Sequence, residues 1–241
     1  MLFTTKGIVL HHFKYSEKST IAKIYTEKFG LQSYILNGVR TSKSKNKAVY
    51  LQPLSLVEIN ANYKEKKGLQ QLRSIQLAIP YNSIPFNIVK TSLAFFLAEV
   101  VYKSIKEEET NYSLFNFLYN AFQVLDVKED GYANFHLIFL AQLTSFLGFE
   151  PQNKDINTQN FFFDLQEGHF VDIQPPHKAF ANQGLSNHLK NILLTNFKNN
   201  DLILTNNDRK ELLSLFLDYY HLHLSNFDNL KSVAVLQEVL N

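Results

Sequence analysis

Near Pro80 the spacing of apolar residues lengthens from two to three or four, and this change of period separates a part that must form strands from a part that must form helices. Before that point, short runs rich in Val, Ile, Thr, Tyr and Leu are separated by turn signals. They predict five strands at about residues 4–13, 19–26, 31–39, 51–63 and 69–77. YSEKS, EKFG and KEKKG supply the turns of the first, second and fourth connections, and only the third connection is long. Val57, Ile59, Ala61 and Tyr63 alternate on one face of the fourth strand, as do Ala22, Ile24 and Thr26 on the second. Ile8, Val9 and Leu10 stand in succession and break the alternation of the first. Five short antiparallel strands without exposed edges predict a closed barrel of the OB type.

After Pro80 the apolar positions Leu93, Phe96, Leu97, Val100 and Val101, then Leu114, Phe117, Leu118, Ala121 and Phe122, fall at helical spacing. Further helices are predicted at about 132–147, 185–196, 206–226 and 230–240. Between 148 and 176 the pattern lapses, and FFFDL and HFVDI on either side of QEG predict a small hairpin. The expected class is therefore α+β and multi-domain. Residues 1–80 form a five-stranded OB-type β-barrel, and residues 81–241 form an all-α helical domain with the hairpin inserted.

Charge follows the same division. Residues 1–80 carry 13 Lys and Arg against 4 Asp and Glu, whereas the remainder carries 11 against 18. A basic module can sit on a polyanion from which an acidic one is repelled, so a nucleic acid is expected on the N-terminal side. The third connection concentrates the effect, with Arg40, Lys43, Lys45 and Lys47 in a Ser- and Asn-rich segment. Such cations can neutralise phosphates and release counterions, although the same composition also suits a solvated loop. Lys6, Lys23, Lys64, Lys66, Lys67 and Arg73 extend the positive set, again with ordinary solvation as the competing reading for the KEKKG turn. Phe13, Tyr15, Tyr25, Tyr34 and Tyr50 are aromatic residues near those charges, suited either to base stacking or to the barrel core.

Enzyme motifs are missing from the sequence: it has no Gly-rich phosphate loop, no nucleophile elbow and no paired-carboxylate metal motif. There is no cysteine, which removes thiolate zinc sites and cysteine nucleophiles. His221 and His223 stand two apart on a predicted helix and point to different faces, and His11 and His12 are neighbours on a strand, so neither pair chelates well. No cofactor, metal or catalytic residue is expected. The apolar runs are interrupted by Glu99 and Gln142 before reaching the roughly 20 residues of a membrane span, and no export signal leads the chain, so cytoplasmic residence is expected.

Several ordered segments are similar to one family. KGIVLHHFKYSEKSTIAKIYTEKFGLQSYILNGVRTSKSK resembles the opening of RecO, the bacterial mediator of DNA repair and recombination in the RecF pathway, through Gly7, Ser19, Thr26, Gly30, Gly38, Arg40, Ser44 and Lys45. LQPLSLVEI, FHLIFLAQLTSFLGFEPQ and LHLSNFDNLKSVAVLQEVL resemble later segments in the same order, across nearly the whole chain. One departure is that many RecO proteins carry a four-cysteine zinc site after L-G-x-x-P, where this chain has none. Packing of Phe161, Phe163 and Phe170 is the expected substitute for that metal staple.

The resemblance implies a non-enzymatic, nucleoid-associated protein that binds single- and double-stranded DNA through its OB barrel and anneals complementary strands. It also implies recognition of the C-terminal tail of single-stranded DNA-binding protein and, with RecR, help in loading RecA. An acidic, apolar tail calls for a hydrophobic groove with a cation at its rim, for which Lys90, Lys103 and Lys128 are candidates. An OB-containing RNA-binding or ribosome-associated factor would explain the basic barrel but not the C-terminal segments. A nuclease would need clustered carboxylates and a divalent metal.

Overall fold

Alternation closes the N-terminal strands into a barrel. The computed structural model describes residues 2–37, 49–64, 67–105, 109–152, 161–198 and 202–240. Its first five strands are β1 (Leu2–Lys14), β2 (Ser19–Thr26), β3 (Gly30–Asn37), β4 (Leu56–Asn62) and β5 (Gln70–Ile79). They form a closed barrel in the order β1-β2-β3-β5-β4. Every pairing is antiparallel except β3 with β5, which is parallel and joins Tyr34 to Gln70 and Ile35 to Gln71. This is the five-stranded OB-type barrel expected from the sequence. Its interior is filled by Val9, Ala22, Ile24, Tyr34, Leu36, Val57, Ile59, Ala61, Leu72 and Ile75.

The expected fourth strand begins too early. Residues Val49–Leu51 form a short 3-10 turn, and β4 starts only at Leu56. Pro53 lacks an N–H and cannot join a ladder, so the chain turns there instead. Leu54 takes φ 63°, its N–H donating to the Val9 carbonyl at 2.7 Å while the Val9 N–H donates to that of Ser55 at 3.1 Å.

Between Val9 and His11 the β1–β2 register slips by one residue. This bulge accounts for the run Ile8, Val9 and Leu10, all of which are buried. Val9 belongs to the barrel core, and β1 is also the strand against which the first helix packs. Earlier in the same strand Gly7 is required by space. A Cβ there would lie 2.6 Å from Ile24 Cγ2 inside the core. Gly7→Ala is expected to destabilise the protein by about 2 kcal/mol through overpacking, read as a lower urea midpoint with an unchanged m-value.

Phe3, Phe29 and Tyr63 meet at the barrel end where β1 begins. Phe29 and Tyr63 are stacked, with centroids 4.1 Å apart and planes 13° apart. Phe3 stands edge-on to both, at 5.3 Å and 6.2 Å. All three rings are half-buried.

Two helices complete the first compact unit, Met1–Val127: α1 (Ile88–Ser104) and α2 (Tyr112–Val127). Asn87 caps α1, its Oδ1 accepting from the N–H groups of Val89 and Lys90 at 3.0 and 3.1 Å. Near the end of α2, Asp126 reaches back to the segment that leaves the barrel. Its carboxylate accepts from the backbone N–H groups of Asn82, Ser83 and Ile84 at 2.8, 2.8 and 2.9 Å. Burial alone would raise its pKa, but these donors and the Ser83 hydroxyl outweigh it and hold the carboxyl below the usual range.

The second unit, Lys128–Asn241, contains α3 (Phe135–Leu147), α4 (Gln183–Leu193), α5 (Asn206–His223) and α6 (Ser232–Val239). Gly148 ends α3 in the left-handed conformation, φ 84°, as its place in the sequence requires. A capping box joins Thr205 and Asp208 at the start of α5. His136 on α3 is fully buried and neutral, its pKa pushed down to about 3 by burial and by the nearby Arg209.

The expected hairpin is present as β6 (Phe162–Asp164) and β7 (His169–Val171), with a third strand, β8 (Phe180–Ala181), on the other edge of β6. Two residues are too few to show a period, so β8 is invisible in the sequence. Phe161, Phe163 and Phe170 are buried, with Phe170 in contact with Phe161 at 5.6 Å and with Phe163 at 4.9 Å between centroids. Asp164 fixes the turn through the N–H groups of Gln166 and Glu167, at 2.9 and 3.1 Å, and meets His177 Nε2 at 3.1 Å.

Candidate nucleic-acid interface

The bulge in β1 changes which side chains reach the outer surface. Ahead of it the even-numbered Thr4 and Lys6 are exposed while Thr5, Gly7 and Val9 are buried. Beyond it His11 stands opposite Lys23 and Phe13 opposite Ile21, and every residue from His11 to Lys18 is exposed. Phe13 is 42% exposed and Tyr15 is 61% exposed. Tyr15 is carried by the β1–β2 turn, where its N–H and that of Ser16 both donate to the Ser19 carbonyl, at 3.1 and 3.2 Å. The His11 ring lies 6.1 Å from Phe13 and stacks at 5.3 Å on Tyr102, near the end of α1. Tyr102 carries no local signal of this role, because it is 91 residues from its partner in the chain. Accessible rings beside Lys14, Lys18 and Lys23 can stack bases and neutralise phosphates.

The other aromatic candidates have different fates. Tyr25 and Tyr34 are 1% exposed, and Tyr50 packs against the core. Burial pushes the Tyr34 hydroxyl well above the ordinary tyrosine range.

Among the cations, Arg40, Lys43, Lys45, Lys47 and Lys66 lie outside the described residues. Strand β3 ends at Asn37, paired with Ser19 beside the β1–β2 turn. Lys64 and Lys67 are exposed at the opposite end. Their turn is held by the buried amide of Gln70, which donates to the carbonyls of Lys64 and Lys67 at 2.9 and 2.7 Å and accepts from the Lys64 N–H at 2.9 Å. With the Asn62 amide oxygen turned toward it, Arg73 donates Nε and Nη2 to that oxygen, both at 2.9 Å.

Lys6 is exposed but already compensated. Its ammonium lies 5.6 Å from the Tyr119 ring centroid, and Glu58 is its cross-strand partner. Burial, then the charges of Glu27 and Glu58, raise the Tyr119 hydroxyl.

Of the expected rim cations, Lys90 is withdrawn from the surface. It is 3% exposed, and its ammonium donates to the Ser83 hydroxyl at 2.6 Å and the Asp126 carbonyl at 2.8 Å. A cation this deep cannot meet an acidic tail; α1 is apolar on nearly every side, and the lysine is paired inside the unit. Lys103 and Lys128 are half-buried, Lys128 Nζ lying 3.5 Å from the Phe197 carbonyl. His221 pairs with Asp228 at 2.9 Å while His223 Nε2 lies 2.9 Å from the Leu165 carbonyl, so the two rings serve separate partners. Among the described residues, no group of three His, Asp or Glu side chains is placed to hold a metal ion, and no helix is long and apolar enough to cross a membrane.

Residues 1–81 match the family described as Recombination protein O N terminal, and residues 85–233 match Recombination protein O C terminal. The chain is 37% identical over 242 residues to the DNA repair protein RecO of Azobacteroides pseudotrichonymphae, covering all of both chains. It is 38% identical over 243 residues to that of Flavobacterium psychrophilum and 35% identical over 242 residues to that of Phocaeicola vulgatus, again covering all of each chain.

Proposed function

The chain belongs to the RecO family of DNA repair proteins, and on that premise we propose that it binds single- and double-stranded DNA through its barrel and anneals complementary strands. The observation that carries this reading is the exposed end of β1 and the turn that follows it, which present Phe13 and Tyr15 to solvent beside Lys14, Lys18 and Lys23. Rings take unpaired bases, and the cations offset the mutual repulsion of two phosphate backbones that would otherwise slow pairing. The strongly basic segment with Arg40, Lys43, Lys45 and Lys47 adds to that effect by its charge.

In the same reading the protein makes no covalent change to DNA and uses no cofactor. It acts with RecR and with single-stranded DNA-binding protein, whose acidic tail it recognises, to assist RecA loading in the nucleoid. Lys103 and Lys128 remain the candidate rim cations for that tail.

The test is annealing of complementary oligonucleotides coated with the cognate single-stranded DNA-binding protein, in full-length and tail-less forms. Acceleration that depends on the tail is the expected result. Acceleration indifferent to the tail would remove the partner assignment and leave the DNA one. No acceleration in either case, with tighter binding to a structured RNA, would overturn the annealing reading.

A further inference from the structure

The exposed end of β1 is not the sole place where accessible rings and cations coincide. At the opposite end of the barrel Phe3, Phe29 and Tyr63 form one contiguous aromatic surface, each ring half-buried and therefore partly open to solvent. They come from the start of β1, the β2–β3 turn and the end of β4. Phe3 shares the parity of the buried Thr5, Gly7 and Val9, so the group closes this end of the barrel while each ring keeps part of its surface open to solvent.

Three exposed lysines frame the group: Lys28 precedes Phe29, Lys64 follows Tyr63, and Lys67 completes the β4–β5 turn. Lys28 Nζ gives one hydrogen bond to the Thr4 carbonyl, next to Phe3 in the chain, at 2.9 Å, and an ammonium has two further N–H donors. The Gln70 amide bonds the backbones of Lys64 and Lys67, and both residues are exposed. Among the described residues none of the three forms an ion pair.

We propose that the Phe3, Phe29 and Tyr63 group is a stacking site for an unpaired base, with Lys28, Lys64 and Lys67 holding the flanking phosphates. This rests on the DNA-binding reading and sharpens it, because a ring surface accepts a base only where the base is not already stacked in a duplex. The site lies roughly 30 Å along β1 from Phe13, at about 3.3 Å per residue. That separation exceeds the Debye length of about 8 Å at physiological salt, so a strand held here is electrostatically screened from one held at the Tyr15 end.

The experiment uses the full chain and oligothymidylates carrying a single 5-iododeoxyuridine, whose photocrosslinks are mapped by peptide mass spectrometry. Crosslinks are expected in peptides containing Phe3, Phe29 or Tyr63. Phe29→Leu keeps an apolar side chain in the turn and is expected to weaken single-strand binding about tenfold while leaving duplex binding unchanged. Replacing Lys64 and Lys67 by Ala is expected to lower the single-strand salt slope by about 1.4.

Crosslinks confined to other peptides, together with wild-type affinity in Phe29→Leu, would overturn the site while leaving DNA binding intact. Failure to bind any oligonucleotide or duplex would overturn the DNA reading and this site with it. The crosslink map comes from the unaltered chain, so it decides the matter even where a variant folds poorly.

Discussion

Replacing Arg40, Lys43, Lys45 and Lys47 together by Ala is expected to weaken single-stranded DNA binding by on the order of 100-fold at physiological salt. Each phosphate contact contributes about 0.7 to the slope of log affinity against log salt, so four contacts remove about 2.8. Near 0.15 M salt, that change in slope corresponds to roughly two orders of magnitude in affinity. The loss should be similar for every sequence tested, because counterion release carries no base information. Among the described residues, the barrel core side chains are all left in place by these substitutions. Fluorescence anisotropy of a labelled oligothymidylate across a salt series measures both quantities. An unchanged slope would assign the phosphate contacts elsewhere, to Lys23, Lys64 and Lys67 first.

Asp126→Ala is expected to destabilise the first unit by about 3 to 4 kcal/mol, the scale for removing one member of a buried charged hydrogen-bond network. Three backbone N–H groups, those of Asn82, Ser83 and Ile84, lose the acceptor that now satisfies them. The Ser83 hydroxyl and Lys90 keep the Asp126 main-chain carbonyl, so the loss is specific to the carboxylate. Asp126→Asn should cost less, because an amide oxygen still accepts from the same donors. The pH dependence has a definite sign. A carboxyl with a lowered folded pKa stabilises the native state fully above its unfolded value, about 3.9, and loses that contribution as pH falls through the folded value. Urea unfolding at pH 7 and in the acid range should therefore show the gap between wild type and Asp126→Ala closing only below about pH 4.

Local patterns made the barrel legible. Alternation in β4, and in part in β2, gives their inner faces, and the turn sequences give three of the four connections. The start of β4 was misread because Leu51 and Leu54 continue an apolar pattern through Pro53, which cannot pair. The bulge left one trace, the unbroken run Ile8, Val9 and Leu10, but its effect on Phe13 and Tyr15 depends on the register with β2. Lys90 looked like a surface cation because nothing nearby in sequence reveals Asp126, 36 residues away. The meeting of Phe3, Phe29 and Tyr63 has no local signal for the same reason: Tyr63 reads as one more inner-face residue of the fourth strand, and Phe3 and Phe29 as ordinary strand and turn residues, until closure of the barrel brings the three together.

The seam between β3 and β5 has a consequence for how this protein is made. β1 pairs with β4, and closure waits further for β5, so the barrel cannot close until residues near Ile79 have left the ribosome. At roughly 5–20 residues per second, the β1–β2–β3 meander spends several seconds as an open sheet with two free edges. Its Ile8, Val9 and Leu10 are uncovered throughout that interval, because α1 is translated later still. Slow codons between β3 and β5 would lengthen the window in which the open meander can aggregate.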